Sequence, residues 1–405
     1  MNATAWPDSH PCNIPTPDFP IAVERFGPES QTPPLAVVAI PVRDEVDRIV
    51  MCLSALAEQE EVEPSEMAVV LLLNNCIDGT AQAVRDLSPH FPWRLEMRSV
   101  ELPCAYANAG WARKLAMDAA ADWVQPGGLI LTTDADTVVA TDWVAANRRE
   151  IAQGVEAVAG YVMADPVELM ELDPCILARG SLEWDYQQLA AELEARADPP
   201  VHDPWPRHNQ NCGASTAITL AAYRRIGGLP PIRVGEDRAL FEALGRVDLK
   251  VRHSLEVQVV TSARTDGRAC GGLSDAIRLR GDPDHPCDDA LEVAVLTLRR
   301  AYDRAGFRAA WRAKRVDVEG WAERLHVDPS EVRAAAASGF FGEAWARLET
   351  LSPKLKRRLV TGRELKRELR RLRRLVEFAR KADLARRAQA AWLAAERRTR
   401  KARVA

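Results

Sequence analysis

Between residues 35 and 162, short apolar runs alternate with segments whose apolar residues fall at helical spacing, and few folds accept that alternation. Residues 35–40, 67–73 and 129–131 are continuously apolar, and 95–100 and 155–162 read as further strands. Residues 44–59 carry Val46, Ile49, Val50, Leu53 and Leu56 on one helical face; 80–87, 107–124 and 141–152 also read as helices. Strands separated by helices pair in parallel, and strands apolar on both faces need a helical layer on each. The expectation is a Rossmann-like α/β/α sandwich with a mostly parallel sheet. Its ligands would sit beyond the carboxyl ends of the strands.

Three of those strand ends are polar. Pro41, Arg43 and Glu45 follow the first run; Asn74 and Asp78 follow the second, with Asp78 placed to cap the next helix; Asp134 and Asp136 follow the run at 129–131. Two carboxylates one residue apart at a strand end lean the same way and can grip a hard divalent cation, Mg²⁺ or Mn²⁺, although Asp is also a common turn former. A second acidic pair, Glu236 and Asp237, opens a helix running to about residue 245. Carboxylates there answer the helix dipole, and one at a cleft mouth can also act as a general base. Arg264 and Arg268 lie on a Gly-containing loop after a strand and suit a phosphate or a solvated surface equally. His253, just upstream, is a further metal-ligand candidate against a structural alternative. The Pro-rich stretch 198–210, with His202, Trp205 and His208, is a loop, read as a lid or a connection.

PVRDE at 41–45, LNNCIDGT at 73–80, TTDADT at 132–137, CGASTAITLAAYRRIGGLP at 212–230 and GEDRAL at 235–240 together resemble family 2 glycosyltransferases of the GT-A fold. The likeness spans about residues 35–270. It implies a nucleotide-sugar site with the nucleoside against Pro41, Arg43, Glu45, Asn74 and Asp78, and a metal on the diphosphate held by Asp134 and Asp136, with Asp136 touching it most directly and Asp134 either sharing it or facing the ribose. Arg113 or Lys114 would face the diphosphate, with Lys114 assigned to the nucleotide-sugar site. Asp237, with Glu236 beside it, would be the catalytic base of an inverting transfer to a hydroxyl acceptor. Arg264, Arg268 and His253 keep a retaining outcome with a phosphorylated acceptor open. Leu73 and Asn74 stand where family members carry paired aspartates, which opens a nucleobase preference other than uracil. A nucleotidyltransferase acting on a sugar phosphate, and a scaffold that has lost catalysis, are the alternatives.

Charge divides the chain. Of 405 residues with a net charge of −4, those from 291 onward hold 30 Lys and Arg against 14 Asp and Glu, a net of +16, which leaves −20 for the rest. Three parts are expected: a Pro-rich segment 1–34, a glycosyltransferase domain 35–275 and a basic helical region 291–405. The basic tail suits packing against the acidic part, within one chain or in a homo-oligomer, ahead of an anionic membrane surface. Nucleic acid ranks last because the tail has few aromatics to stack on bases. Eight cysteines without paired spacing, no signal-peptide pattern in residues 1–34 and no apolar run near the ~20 residues of a spanning helix suit a cytoplasmic protein, at most peripheral to the inner face of a membrane.

Overall fold

The computed structural model describes residues 17–268, 271–288 and 291–402. Strands β1 (Ile21–Phe26), β2 (Ala36–Val42), β3 (Met67–Asn74), β4 (Arg94–Val100), β5 (Leu129–Thr132), β6 (Thr137–Val139), β7 (Ala157–Ala164), β8 (Thr216–Thr219) and β9 (Val251–Thr261) form one sheet in the order β1-β4-β3-β2-β5-β8-β7-β9-β6. The helices between them are α1 (Ile49–Ala57), α2 (Thr80–Leu87), α3 (Ala109–Trp123), α4 (Trp143–Ala152), α5 (Pro166–Met170), α6 (Pro174–Ala197), α7 (Leu220–Arg225) and α8 (Glu236–Arg246). The chain is of the α/β class.

The continuous apolar runs are explained by burial on two sides. Val37, Ala39, Ala68, Val70 and Leu72 join a core with α3, α7 and α8, while their neighbours Val38, Ile40, Val69, Leu71 and Leu73 join another with α1 and α4. The period of two sends alternate residues to opposite helical layers. Each larger aliphatic side chain removed from water in this way stabilises the fold by roughly 1.5–3 kcal/mol.

The sheet is parallel only in part. β4, β3, β2 and β5 run parallel, as alternating strands and helices dictate. β8 lies antiparallel between β5 and β7, and β1 and β6 pair antiparallel with β4 and β9. β8 arrives after α6 and a long irregular stretch, so no crossover helix constrains its direction. From β2 the chain builds outward to β4 and returns to β5 on the other side of β2, so the loops after β2 and β5 flank a topological switch point.

The chain forms two compact units. The first holds residues up to 177, 210–281 and 338–346; the second holds 178–209, 282–337 and 347 onward. Beyond the sheet lie α9 (Leu273–Leu279), α10 (Ala294–Arg312), α11 (Val318–Leu325), α12 (Pro329–Ala336), α13 (Phe341–Leu351) and α14 (Gly362–Ala402). In the second unit Tyr186 and Leu193 of α6 pack with Leu291, Val360, Leu369, Leu372 and Val376. Acids that precede residue 290 meet the basic tail here: Glu192 pairs with Arg380 at 2.6 Å, Asp185 with Arg373 at 2.8 Å, and Asp198 with Arg304 at 2.6 Å and with Arg308. The Pro-rich stretch is mixed, with Asp198, Asp203, Arg207 and His208 buried and Val201 and residues 204–206 exposed. Among the described residues no helix is long and apolar enough to cross a membrane.

Candidate active site

The loops after β2 and β3 are laced into one wall. Thr80 Oγ1 accepts the Glu45 N–H (2.9 Å) and donates to Asp78 Oδ1 (2.5 Å), which also accepts the Thr80 N–H. Asp78 Oδ2 accepts the Val46 N–H, and Asp44 Oδ1 accepts the Ile77 N–H. Burial would push the Asp78 carboxyl up, but these hydrogen bonds hold it below the ordinary range. α2 takes Gly79 as its N-cap without a side-chain cap, so Asp78 is not the cap expected of it; through Thr80 it fixes the Glu45 backbone instead. Pro41 lies within β2, opposite Leu72, and Arg43 is half-buried in the same wall.

Asn74, at the end of β3, is buried, and its Oδ1 has no hydrogen-bond partner among the described residues. The neighbouring Asn75 is the tie. Its side chain exchanges two hydrogen bonds with the backbone of Leu102, at 3.0 and 3.1 Å.

Opposite this wall stand Asp134 and Asp136, one exposed by about a third and the other largely covered. Each meets an arginine. Arg113 of α3 gives Nη2 to Asp134 Oδ1 (2.6 Å), Nε to Glu236 Oε1 (3.2 Å), and Nη1 to Thr132 Oγ1 and the Gly213 carbonyl. Burial opposes the charge on Arg113, but Asp134 and Glu236 more than restore it and raise its pKa further. Gly213 is needed here: a Cβ would stand 2.5 Å from Arg113 Cζ. The Gly213 N–H in turn donates to Asp237 Oδ2 at 3.0 Å. One guanidinium and one glycine thus join the end of β5 to the acidic first turn of α8. That helix starts cleanly because Gly235, with φ +79°, takes the left-handed turn before it.

Arg264 closes the other side. β9 pairs with β6, Thr137 opposite Thr261, so the residues after β9 emerge beside Asp136. Arg264 Nη2 lies 3.0 Å from Asp136 Oδ2, and both terminal nitrogens engage Glu45, Nη1 at 2.8 Å. The hydrogen bond to Glu45 and the Asp136 charge raise its pKa against burial. The turn that carries it is held by Glu168 of α5, which accepts the Ser262 hydroxyl (2.8 Å) and the Ala263 N–H (2.7 Å) and pairs with Arg48. Despite burial, these partners keep Glu168 ionised below its usual range.

The ionisation of the acids follows from this packing. Burial, reinforced by Asp134, pushes Asp136 up to about 6, with Arg264 opposing. Burial also raises Glu236, against Arg113. Beside Arg264 lies a cavity of about 180 Å³, lined by Asp44, Glu45, Asp47, Arg48, Arg264, Asp266 and Arg268; Arg268 donates to the Asp44 carbonyl at 3.2 Å.

The structure thus gathers Glu45, Asp78, Asp134, Asp136, Glu236, Asp237, Arg264 and Arg268 around linked strand ends. Two expected participants have other neighbours. Lys114 is buried on Asp118 (2.9 Å), whose other oxygen accepts the Tyr223 hydroxyl. Its spacing of four from Asp118 on one helix foretells that pairing, and Arg113, the alternative, takes the cleft. His253 Nε2 lies 3.0 Å from Asn211 Oδ1, beside the Phe241 ring. Among the described residues no three or more His, Cys, Asp and Glu side chains form a metal-holding group, so His253 does not complete one with the two aspartates. Asp134 and Asp136 fit the smaller donor set of a Mg²⁺-type ion, which takes one or two carboxylates and completes its shell with phosphate and water. Burial, and after it the Asp134 charge, raise Asp136, and a cation would offset both.

No family model and no curated protein matches the chain. Several solved structures are similar to it. S. aureus TarS 1–349 in complex with UDP is 14% identical, with 86% of this chain and 91% of that one covered, at a TM-score of 0.42. The mannosyltransferase PcManGT from Pyrobaculum calidifontis in complex with GDP-Man and Mn²⁺ is 18% identical, with 89% of each chain covered, at a TM-score of 0.43. TarS 1–349 in complex with UDP-GlcNAc gives 14%, 86%, 92% and 0.44. At these identities and TM-scores the likeness carries no inference about chemistry, which rests on the geometry of the cleft.

Proposed function

We propose that the chain is a glycosyltransferase of the GT-A type that moves a sugar from a nucleoside-diphosphate donor to a hydroxyl acceptor with inversion. The observation that carries this reading is the double bridge at the switch point: Arg113 ties Asp134 to Glu236, and Arg264 ties Asp136 to Glu45. Two carboxylates suited to a cation and two guanidiniums suited to phosphate share one crevice, with a candidate base at its edge.

Asp237 is half-buried, its Oδ2 held by the Gly213 N–H and its Oδ1 by the Arg238 N–H. Oriented in this way, it takes the proton of the attacking hydroxyl. Arg264, released from Glu45, and Arg113 meet the charge that grows on the departing diphosphate. Asp134 and Asp136 would hold a divalent cation, which supplies further charge neutralisation on the same oxygens. Glu45 and Asp78 shape the nucleoside wall, and the buried Asn74 ends the neighbouring strand β3.

Nucleoside diphosphates screened by thermal shift, with and without Mn²⁺, test the reading. A cation-dependent rise in melting temperature with at least one diphosphate is expected, lost in Asp136→Ala. No shift with any diphosphate, or pyrophosphate release from a nucleoside triphosphate and a sugar phosphate, overturns it.

A further inference from the structure

The second unit carries a surface that the cleft does not use. α14 buries Leu365, Leu369, Leu372, Val376 and Ala379, and its basic residues divide around that seam. On the flanks Arg373 pairs with Asp185, Arg380 with Glu192 and Arg371 with Glu368 at 2.6 Å, and on the outer face Arg367 pairs with Glu364 at 2.8 Å. Three others opposite the seam are not paired. Lys366, Arg370 and Arg374 recur every four residues, all exposed, and none has an acidic partner among the described residues. The same spacing continues to Phe378, 70% exposed, and Leu384, 72% exposed, lies on this face too. The one acid on it, Glu377, is neutralised by Lys381 at 2.8 Å.

We infer that this outer face of α14 lies on an anionic lipid surface. Steps of four drift by about 40° on a helix of 3.6 residues per turn, so these residues spread over a broad outer face, about 27 Å long from Lys366 to Leu384 at ~1.5 Å per residue, which a helix lying along a plane turns towards it. Arg and Lys reach acidic headgroups while their stems lie on the boundary, an aromatic sits at headgroup level, and Leu384 gains only where acyl chain is within reach. That aliphatic exposure favours lipid over a nucleic-acid backbone, which offers it nothing. The flanking ion pairs explain the persistence of this face: the available acids are already committed beside it.

Vesicle flotation of the full chain tests this independently of any sugar transfer. Binding to vesicles of phosphatidylcholine with about a third phosphatidylserine is expected, lost at high salt, with none to phosphatidylcholine alone. Each basic residue near such a surface is worth roughly fivefold, so Lys366→Ala with Arg370→Ala and Arg374→Ala should weaken binding about a hundredfold. Phe378→Ser should weaken it several-fold, with unchanged thermal unfolding. Neutralising Arg312, Lys314 and Arg315, exposed elsewhere in the unit, should leave binding within about twofold. Equal losses from both triple variants, equal binding to neutral vesicles, or tighter binding to an oligonucleotide than to acidic vesicles at the same salt each overturns the inference.

Discussion

Arg113 is the residue on which the cleft depends most, because it neutralises a buried Glu236 and half of the aspartate pair at once. Removing one partner of a buried pair leaves the other charge unmatched. Arg113→Met should therefore lower the free energy of unfolding by about 3 kcal/mol, read by urea denaturation. Gly213→Ala crowds the same guanidinium and should cost about 1–3 kcal/mol, with nucleotide binding weakened alongside. Asp136 gives a prediction in pH. Its pKa of about 6 lies above the ordinary value near 3.8, so the folded state binds this proton more tightly than the unfolded chain does. Its contribution to stability is complete below about pH 4 and is lost as pH rises through 6. A cation needs the ionised form. Mn²⁺ should raise the melting temperature little at pH 5 and clearly at pH 7, and Asp136→Asn should flatten that dependence. The aspartate pair was legible in the sequence because its chemistry is local. Choosing Arg113 over Lys114 needed the face of α3, which the spacing to Asp118 already encodes.

Among the elements, the short helix α5 has the largest unadvertised task. Glu168 holds the turn that presents Arg264 to Asp136 and Glu45, yet nothing in its sequence neighbourhood marks it. Such a contact joins residues almost a hundred positions apart, and no periodicity records it. Glu168→Ala should weaken nucleoside diphosphate binding about tenfold, equal to the loss of ~1.4 kcal/mol, by freeing Arg264; calorimetric titration would measure it. Glu168→Gln, which still accepts the Ser262 and Ala263 hydrogen bonds, should recover most of that loss. The parallel strands and the helices that follow them were readable because continuous burial leaves continuous apolar runs. β1 and β6 were not. β1 pairs through one edge only and, as Ile-Ala-Val-Glu-Arg-Phe, is neither alternating nor continuously apolar, and β6 is three residues long and directly follows the aspartates.

At the scale of the whole molecule, charge asymmetry pointed to two differently built parts, and the structure groups residues 178–209 with the basic helices. Composition averaged over the first 290 residues conceals this, since Asp185, Glu192 and Asp198 are acids of the second unit. A chain ending at residue 281 would leave Tyr186 and Leu193 without their apolar partners. It should express mainly as aggregate, measured by the soluble fraction.

The first unit also regains residues 338–346: the Phe341 and Gly342 N–H groups donate to the Asp248 carboxylate at 2.7 and 2.9 Å, and a Cβ on Gly342 would collide with the Gly245 carbonyl. A ribosome adding ~5–20 residues per second reaches that segment about 3–13 s after residue 281. Through that interval the end of α8 and the turn into β9 stand without these contacts. Vectorial synthesis therefore cannot finish the first unit before most of the second has been made, and the two must mature together.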